Sequence, residues 1–159
     1  MRLVVGILVL FTMAGFSASA KRSQLHRDKI PDKVQDAFSK KYPNADVKRW
    51  SHKNEDFSVR FSMDDKKYEA ILSERGKWIR TEDKIRLNDL PAPVQKAYFS
   101  SKFHWLNLTC VKELRSSGND GVLYLLEGDN WNVESDPVCR FKLYFNADGT
   151  MIKKESGCP

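Results

Sequence analysis

The stretch Ile30-Pro31-Asp32-Lys33-Val34-Gln35-Asp36-Ala37-Phe38 returns sixty positions later as Leu90-Pro91-Ala92-Pro93-Val94-Gln95-Lys96-Ala97-Tyr98, with Pro, Val, Gln and Ala identical and the apolar positions kept. One supersecondary unit is written twice. In the first copy Val34, Ala37, Phe38 and Tyr42 recur at helical spacing, Pro31 suits a first helical turn, and Pro43 stops the helix. The second copy predicts a helix from about Ala92 to Phe103, with Asn88 and Asp89 upstream as turn or cap residues.

After each helix the period changes from 3.6 to 2. Phe57, Val59, Phe61 and Met63 alternate with polar residues, followed by Tyr68, Ala70 and Leu72, a turn at Arg75-Gly76, and a strand from Trp78 towards Ile85. In the second copy Val122, Tyr124 and Leu126 are followed by Phe141, Leu143 and Phe145, a turn at Asp148-Gly149 and a last strand. Weaker strands precede each set, around Val47 to Trp50 and Leu108 to Leu114. Gly76 lands on Gly149 at a larger offset than the helices do, so the second copy carries insertions, placed at 116–121 and 128–137, where Gly, Asn, Asp and Ser abound. The expected fold class is α+β: a tandem repeat in which each unit is a helix packed on an antiparallel sheet of about four strands, the first at 30–88 and the second at 89–159.

Composition agrees with a small soluble domain. Of 159 residues 41% are hydrophobic and 30% charged, with 8 Gly and 6 Pro, which excludes collagen, low-complexity disorder and a polytopic membrane protein. There is no G-x-G-x-x-G and no G-x-x-x-x-G-K-[ST], and the chain is too short for a dinucleotide-binding domain joined to a substrate domain.

The N-terminus reads as a leader. Arg2, an apolar run from Leu3 to Phe16 and the small residues Ala18-Ser19-Ala20 form the pattern of a secretory signal peptide, 1–20, cleaved after Ala20. The apolar run is shorter than the roughly 20 residues that span a bilayer, so no stable membrane insertion is expected after cleavage, and the mature chain is placed in the periplasm or outside the cell. Residues 21–29 (Lys21, Arg22, Arg27 and Lys29 against Asp28) read as a mobile basic arm: a solvated tail, or a weak attractor of anionic headgroups or polyanions. No nucleic-acid recognition motif accompanies the charge.

The opening Ile30-Pro31…Val34…Ala37-Phe38…Lys41-Tyr42-Pro43-Asn44-Ala45, then Val47-Lys48-Arg49-Trp50, Tyr68-Glu69-Ala70 and the closing Tyr144-Phe145-Asn146-Ala147-Asp148-Gly149 resemble the PepSY-like, β-lactamase-inhibitor-like family of small exported bacterial proteins. The resemblance covers nearly all of the mature chain as two tandem copies. It departs from the family pattern at Ser100-Ser101-Lys102-Phe103-His104 and at the two insertions. It implies a non-enzymatic role at the cell envelope and carries over no residue as a known inhibitory contact.

Three cysteines in an exported chain invite one disulfide. A two-residue turn at Asp148-Gly149 sets Phe145 opposite Ile152, Lys142 opposite Glu155 and Cys139 opposite Cys158, within or near bridging range. The pair Cys139–Cys158 is therefore expected, while a longer turn would spoil the register. Cys110, between Leu108 and Val111 in a strand, reads as a small buried residue rather than a nucleophile or an intermolecular bridge.

No catalytic constellation is found. His26, His52 and His104 are far apart, with no metal-ligand spacing, and Asp64 and Asp65 fall in a turn. No cofactor or metal is expected. Alternation instead puts Arg60, Lys67, Trp78, Arg80, Arg140, Lys142, Tyr144 and Lys153 on the sheet face away from the helices. Trp, Tyr and Arg anchor interfaces more often than other residues, although Trp78 and Tyr144 covering the hydrocarbon stems of basic neighbours would give the same pattern. Trp131 is either a loop-tip anchor or a lid folded over the core. The expectation is a non-enzymatic exported module binding a protein partner through Arg60, Trp78, Arg80, Trp131, Arg140, Lys142, Tyr144 and Lys153, possible modulation of an envelope or secreted enzyme included. The alternative is a polyanion- or surface-binding envelope component acting through its basic residues.

Overall fold

A computed structural model describes residues 23–26, 29–131 and 138–158. The expected signal peptide lies outside the described residues, as do Lys21, Arg22, Arg27 and Asp28 of the basic arm and positions 132–137 of the second insertion. The fold is α+β, with two helices and one antiparallel sheet. Its order is β1 (Ser23–Leu25), α1 (Asp32–Lys41), β2 (Asp46–Lys53), β3 (Asp56–Met63), β4 (Lys66–Ser73), β5 (Trp78–Lys84), a short 3-10 helix (Leu87–Asp89), α2 (Ala92–Phe99), β6 (Asn107–Ser116), β7 (Asn119–Asp129), β8 (Arg140–Asn146) and β9 (Met151–Gly157).

All nine strands pair with their sequence neighbours, so the sheet is a meander running β1 to β9 without a break. Its two halves meet where β5 pairs with β6, from Arg80 opposite Ser116 to Lys84 opposite Lys112. Each helix covers its own stretch of one sheet face. Ile30, Val34 and Phe38 pack with Trp50, Phe57, Val59, Phe61, Ala70 and Leu72. Leu90, Val94 and Tyr98 pack with Val111, Tyr124, Leu126, Leu143 and Phe145. Val34 and Val94 are both 0% exposed, as the apolar face of a helix laid on a sheet requires.

Local chemistry explains the element ends. In α1, Asp32 occupies the first turn and Lys40 and Lys41 the last, each sign complementing the helix dipole. Helix α2 ends at Phe99 rather than Phe103. The Ser101 hydroxyl donates to the carbonyl of Tyr98 and accepts from the amide of Phe103, offering the backbone an alternative to another helical turn. Phe103 then folds back into the second core.

The hairpin turns β3–β4, β4–β5 and β8–β9 all need left-handed backbone. Asp64 and Asp65, at φ 51° and 59°, join Met63 to Lys66 as a primed two-residue turn. Gly76 and Gly149, at φ 79° and 88°, close β4–β5 and β8–β9. A Cβ on Gly76 would lie 2.5 Å from the Lys33 carbonyl oxygen, and one on Gly149 2.5 Å from that of Pro93. Only glycine lets either hairpin turn press against the helix above it.

The expectation of a mobile arm at 21–29 is corrected in part. Ser23, Gln24 and Leu25 pair with His52, Ser51 and Trp50, adding an edge strand that residues without apolar periodicity did not announce. Backbone pairing needs no side-chain pattern when an open strand edge is at hand.

Candidate functional site

The sheet face turned away from the helices is built by alternation. Register sets Lys112 opposite Leu125, Leu125 opposite Tyr144, and Tyr144 opposite Lys153; one step along, Glu127 faces Lys142 and Lys142 faces Glu155. In the other half Arg60 faces Glu69 and Glu69 faces Glu82. Arg60, Arg80, Arg140, Lys142, Tyr144 and Lys153 thus share one face.

Trp78 does not join them, and this corrects its expected place. A bulge between Ile71 and Leu72 leaves Trp78 opposite Leu72 while Arg80 stays opposite Ile71, so Trp78 turns to the helix side. There its indole N–H donates to Thr81 Oγ1 at 2.9 Å, Thr81 Oγ1 also meets the Tyr42 hydroxyl at 2.5 Å, and Lys41 Nζ sits 3.7 Å from the ring centroid. Trp131, at the end of β7, is 71% exposed, and its backbone N–H reaches Asp129 Oδ1 at 3.4 Å; an exposed ring is no lid over the core.

Salt bridges run both across and along the strands of the open face. Arg60 Nε is 3.3 Å from Glu69 Oε2. Glu82 accepts from Arg80 at 2.8 Å and from Lys112 at 3.0 Å. Glu127 stands 3.9 Å from both Lys112 and Lys142, and Lys153 is 2.6 Å from Glu155. Burial disfavours the ionised form of Glu82, but the hydrogen bonds and charges of Arg80 and Lys112 outweigh it and hold the carboxyl below its ordinary range. Burial likewise works against the Lys112 ammonium, which the bond to Glu82 and the charges of Glu82 and Glu127 more than offset, so its pKa is raised. Between these charges Ile71, Leu114 and Leu125 are buried on the same face.

Two depressions open on this face. One, of about 680 Å³, includes Val138, Arg140, Lys142 and Glu155 in its lining. The other, of about 630 Å³, includes Lys48, Arg60, Lys67, Glu69, Lys84 and Lys112. Sequence reasoning missed Glu69, Glu82, Lys112 and Glu127, the groups that join the cations into a ladder. They lie one each on β4, β5, β6 and β7, so their grouping gains meaning only once β5 is known to pair with β6.

The disulfide Cys139–Cys158 is formed, with a Cα–Cα distance of 4.3 Å, at the far end of the β8–β9 hairpin. Cys110 is a free thiol, half-buried rather than fully buried as expected. Among the described residues no group of three or more His, Cys, Asp and Glu is placed to hold a metal ion. No helix among them is long and apolar enough to cross a membrane.

The fold, one antiparallel sheet backed by two helices, has relatives. The sequence profile of the PepSY-like, beta-lactamase-inhibitor-like family matches residues 16–68 and again 57–153. The chain belongs to that family. Solved structures similar to this PepSY-like chain include a DUF2874-family protein of Bacteroides ovatus, with a TM-score of 0.69 and 22% identity over 79% of this chain and 86% of that one. A BLIP-like protein of Bacteroides fragilis has a TM-score of 0.68 and 22% identity over 81% and 87%. A protein of Bacteroides eggerthii described as "putative periplasmic" has a TM-score of 0.67 and 20% identity over 79% and 88%. At such identities the likeness establishes the fold. No curated protein matches the chain.

Proposed function

We propose that this PepSY-like chain is an exported, non-catalytic binding module, two tandem helix-on-sheet units at 30–88 and 89–159, that takes a protein partner on its open sheet face. The observation that carries the reading is the ladder itself: charged groups from β3 to β9 interleaved with Ile71, Leu114, Leu125 and Tyr144 on the side no helix covers. The aliphatic residues lie buried beneath the charges and fix their positions, and an uncovered face of oriented charges is what a partner of complementary charge needs. Arg60, Arg80, Arg140, Lys142, Tyr144 and Lys153 are the contact residues, with Trp131 a loop-tip anchor beside them. Export through a signal peptide at 1–20 is supported by the family and by the described compartment of the B. eggerthii neighbour. An envelope or secreted enzyme restrained by such contact is the partner class that the B. fragilis neighbour's BLIP-like description suggests.

The test compares the two faces. Affinity capture from the envelope fraction is run with the wild-type chain, with Tyr144→Ala plus Lys142→Glu, and with Trp78→Ala. The open-face pair loses the partner without change in circular dichroism, and Trp78→Ala keeps it. Retention by the open-face pair, or loss through Trp78 alone, refutes the reading.

A further inference from the structure

The open face carries an electrostatic cost that its own residues do not relieve. Lys84 lies directly opposite Lys112 across β5 and β6. Across β4 and β5, Tyr68 pairs with Asp83, and extending that register by one residue sets Lys67 beside Lys84. Three lysines thus stand side by side on neighbouring strands, where like charges directly opposite destabilise a sheet. Lys112 is compensated by Glu82 and Glu127. Lys67 and Lys84 are exposed, and neither forms an ion pair among the described residues. Both line the 630 Å³ depression.

We infer that this depression receives a carboxylate-bearing loop of the protein partner, with an Asp or Glu side chain seated between Lys67 and Lys84. The inference rests on the binding reading above and names the chemistry of what binds. Glu82 is taken up by Arg80 and Lys112, and Glu155 by Lys153, so an incoming cation finds these carboxylates occupied. An incoming anion meets lysines that the fold leaves open. A loop fits better than a continuous polyanion. Glu69, Glu82, Glu127 and Glu155 punctuate the face and repel a polymer charged at every repeat, whereas a loop places one carboxylate in the groove and neutral groups over the acids.

The test uses a short capped peptide with two central glutamates, the same peptide with glutamines, and a polyphosphate chain. Each is titrated into the isotopically labelled protein at about 0.15 M salt, where only close charge contacts survive screening. The glutamate peptide shifts the amides around Lys67, Lys84 and Lys112, and the glutamine peptide does not. Lys67→Glu with Lys84→Glu weakens the glutamate peptide at least about tenfold; Lys67→Gln with Lys84→Gln gives a smaller loss, and Lys96→Glu, exposed on α2 and away from the open face, leaves it unchanged. Thermal unfolding of every variant is compared with wild type to confirm folding. Absence of glutamate-peptide binding, equal binding of both peptides, indifference to charge reversal, or tighter binding of polyphosphate at the same lysines overturns the inference. Should the Tyr144/Lys142 pair lose the partner while the Lys67/Lys84 reversal keeps it, this inference alone falls; should both variants keep it, the binding reading falls as well.

Discussion

The halves headed by α1 and α2 hold their helices with the same parts and seal their ends with different ones. In each, a glutamine in the second helical turn donates to the carbonyl of the apolar residue ahead of the helix, Gln35 to Ile30 at 2.9 Å and Gln95 to Leu90 at 2.8 Å. In each, a glycine in a hairpin turn lies under a helix carbonyl. The differences lie at the periphery. Below the end of α1, Tyr42, Thr81 and Trp78 form a hydrogen-bonded cluster capped by Lys41. Beyond α2, Phe103 and Leu106 fold inward instead, Met151 takes the place that Trp78 has in the first half, and a disulfide ties β8 to β9. Seating a helix on a sheet admits few solutions, so those positions coincide. Closing a margin admits many, so those diverge.

That comparison can be broken most forcefully at the core. Phe38→Ala and Tyr98→Ala, sixty positions apart and both almost fully buried, each cost about 3–5 kcal/mol of stability in chemical denaturation. Because β5 and β6 join the halves into one sheet, each variant unfolds in a single transition. Two separate transitions would make the halves independent domains.

The disulfide sharpens the contrast, since the first half has no counterpart. Cys139→Ser with Cys158→Ser costs about 3 kcal/mol on the chain-entropy account, and amide exchange rises in β9 while the β4–β5 hairpin keeps its protection. Equal loosening of both hairpins would deny that the bond acts locally.

The smallest effect lies at the seam. Asp83 faces Glu113 across β5 and β6, and burial first, with the Glu113 charge adding and Lys66 and Arg115 opposing, raises its pKa. The folded chain therefore holds this proton more tightly than the unfolded chain. Ionisation costs stability as pH rises through the folded value, and the cost is absent in strong acid. Asp83→Asn accordingly stabilises by up to about 1 kcal/mol at neutral pH, and the gain fades as pH drops through the ordinary aspartate range. A gain that persists in acid would point to something other than charge.

Much of this is legible in the residues, and one success hides two compensating departures. The Cys139–Cys158 pairing follows from a two-residue turn in the last hairpin, yet the turn is longer: Asn146 N–H donates to Thr150 O and Gly149 N–H to Asn146 O. Phe145 therefore faces Met151, not Ile152. A bulge between Tyr144 and Phe145 then restores the register, returning Lys142 to Glu155 and bringing Cys139 to Cys158. The same turn and bulge in the β4–β5 hairpin carry Trp78 to the other face, because it lies between the turn and the bulge, where the register is still shifted. A bulge leaves no mark in apolar alternation, so residues beyond it are placed correctly and residues before it are not. Of the candidate contacts, Arg60, Arg80, Arg140, Lys142, Tyr144 and Lys153 could be grouped on one face from period alone. The carboxylates that bind them into a ladder could not.

The residues by themselves determined two amphipathic helices, the strands that follow them and the turns between, because each depends on periodicity and turn chemistry within a few positions of chain. Only the tertiary structure decided that β5 joins β6 into one sheet, that Trp78 leaves the open face, and that Lys67, Lys84 and Lys112 stand in a row. Those outcomes depend on pairing between strands distant in sequence and on single-residue bulges, and a strand's own pattern specifies neither its neighbour nor the residue at which its register slips.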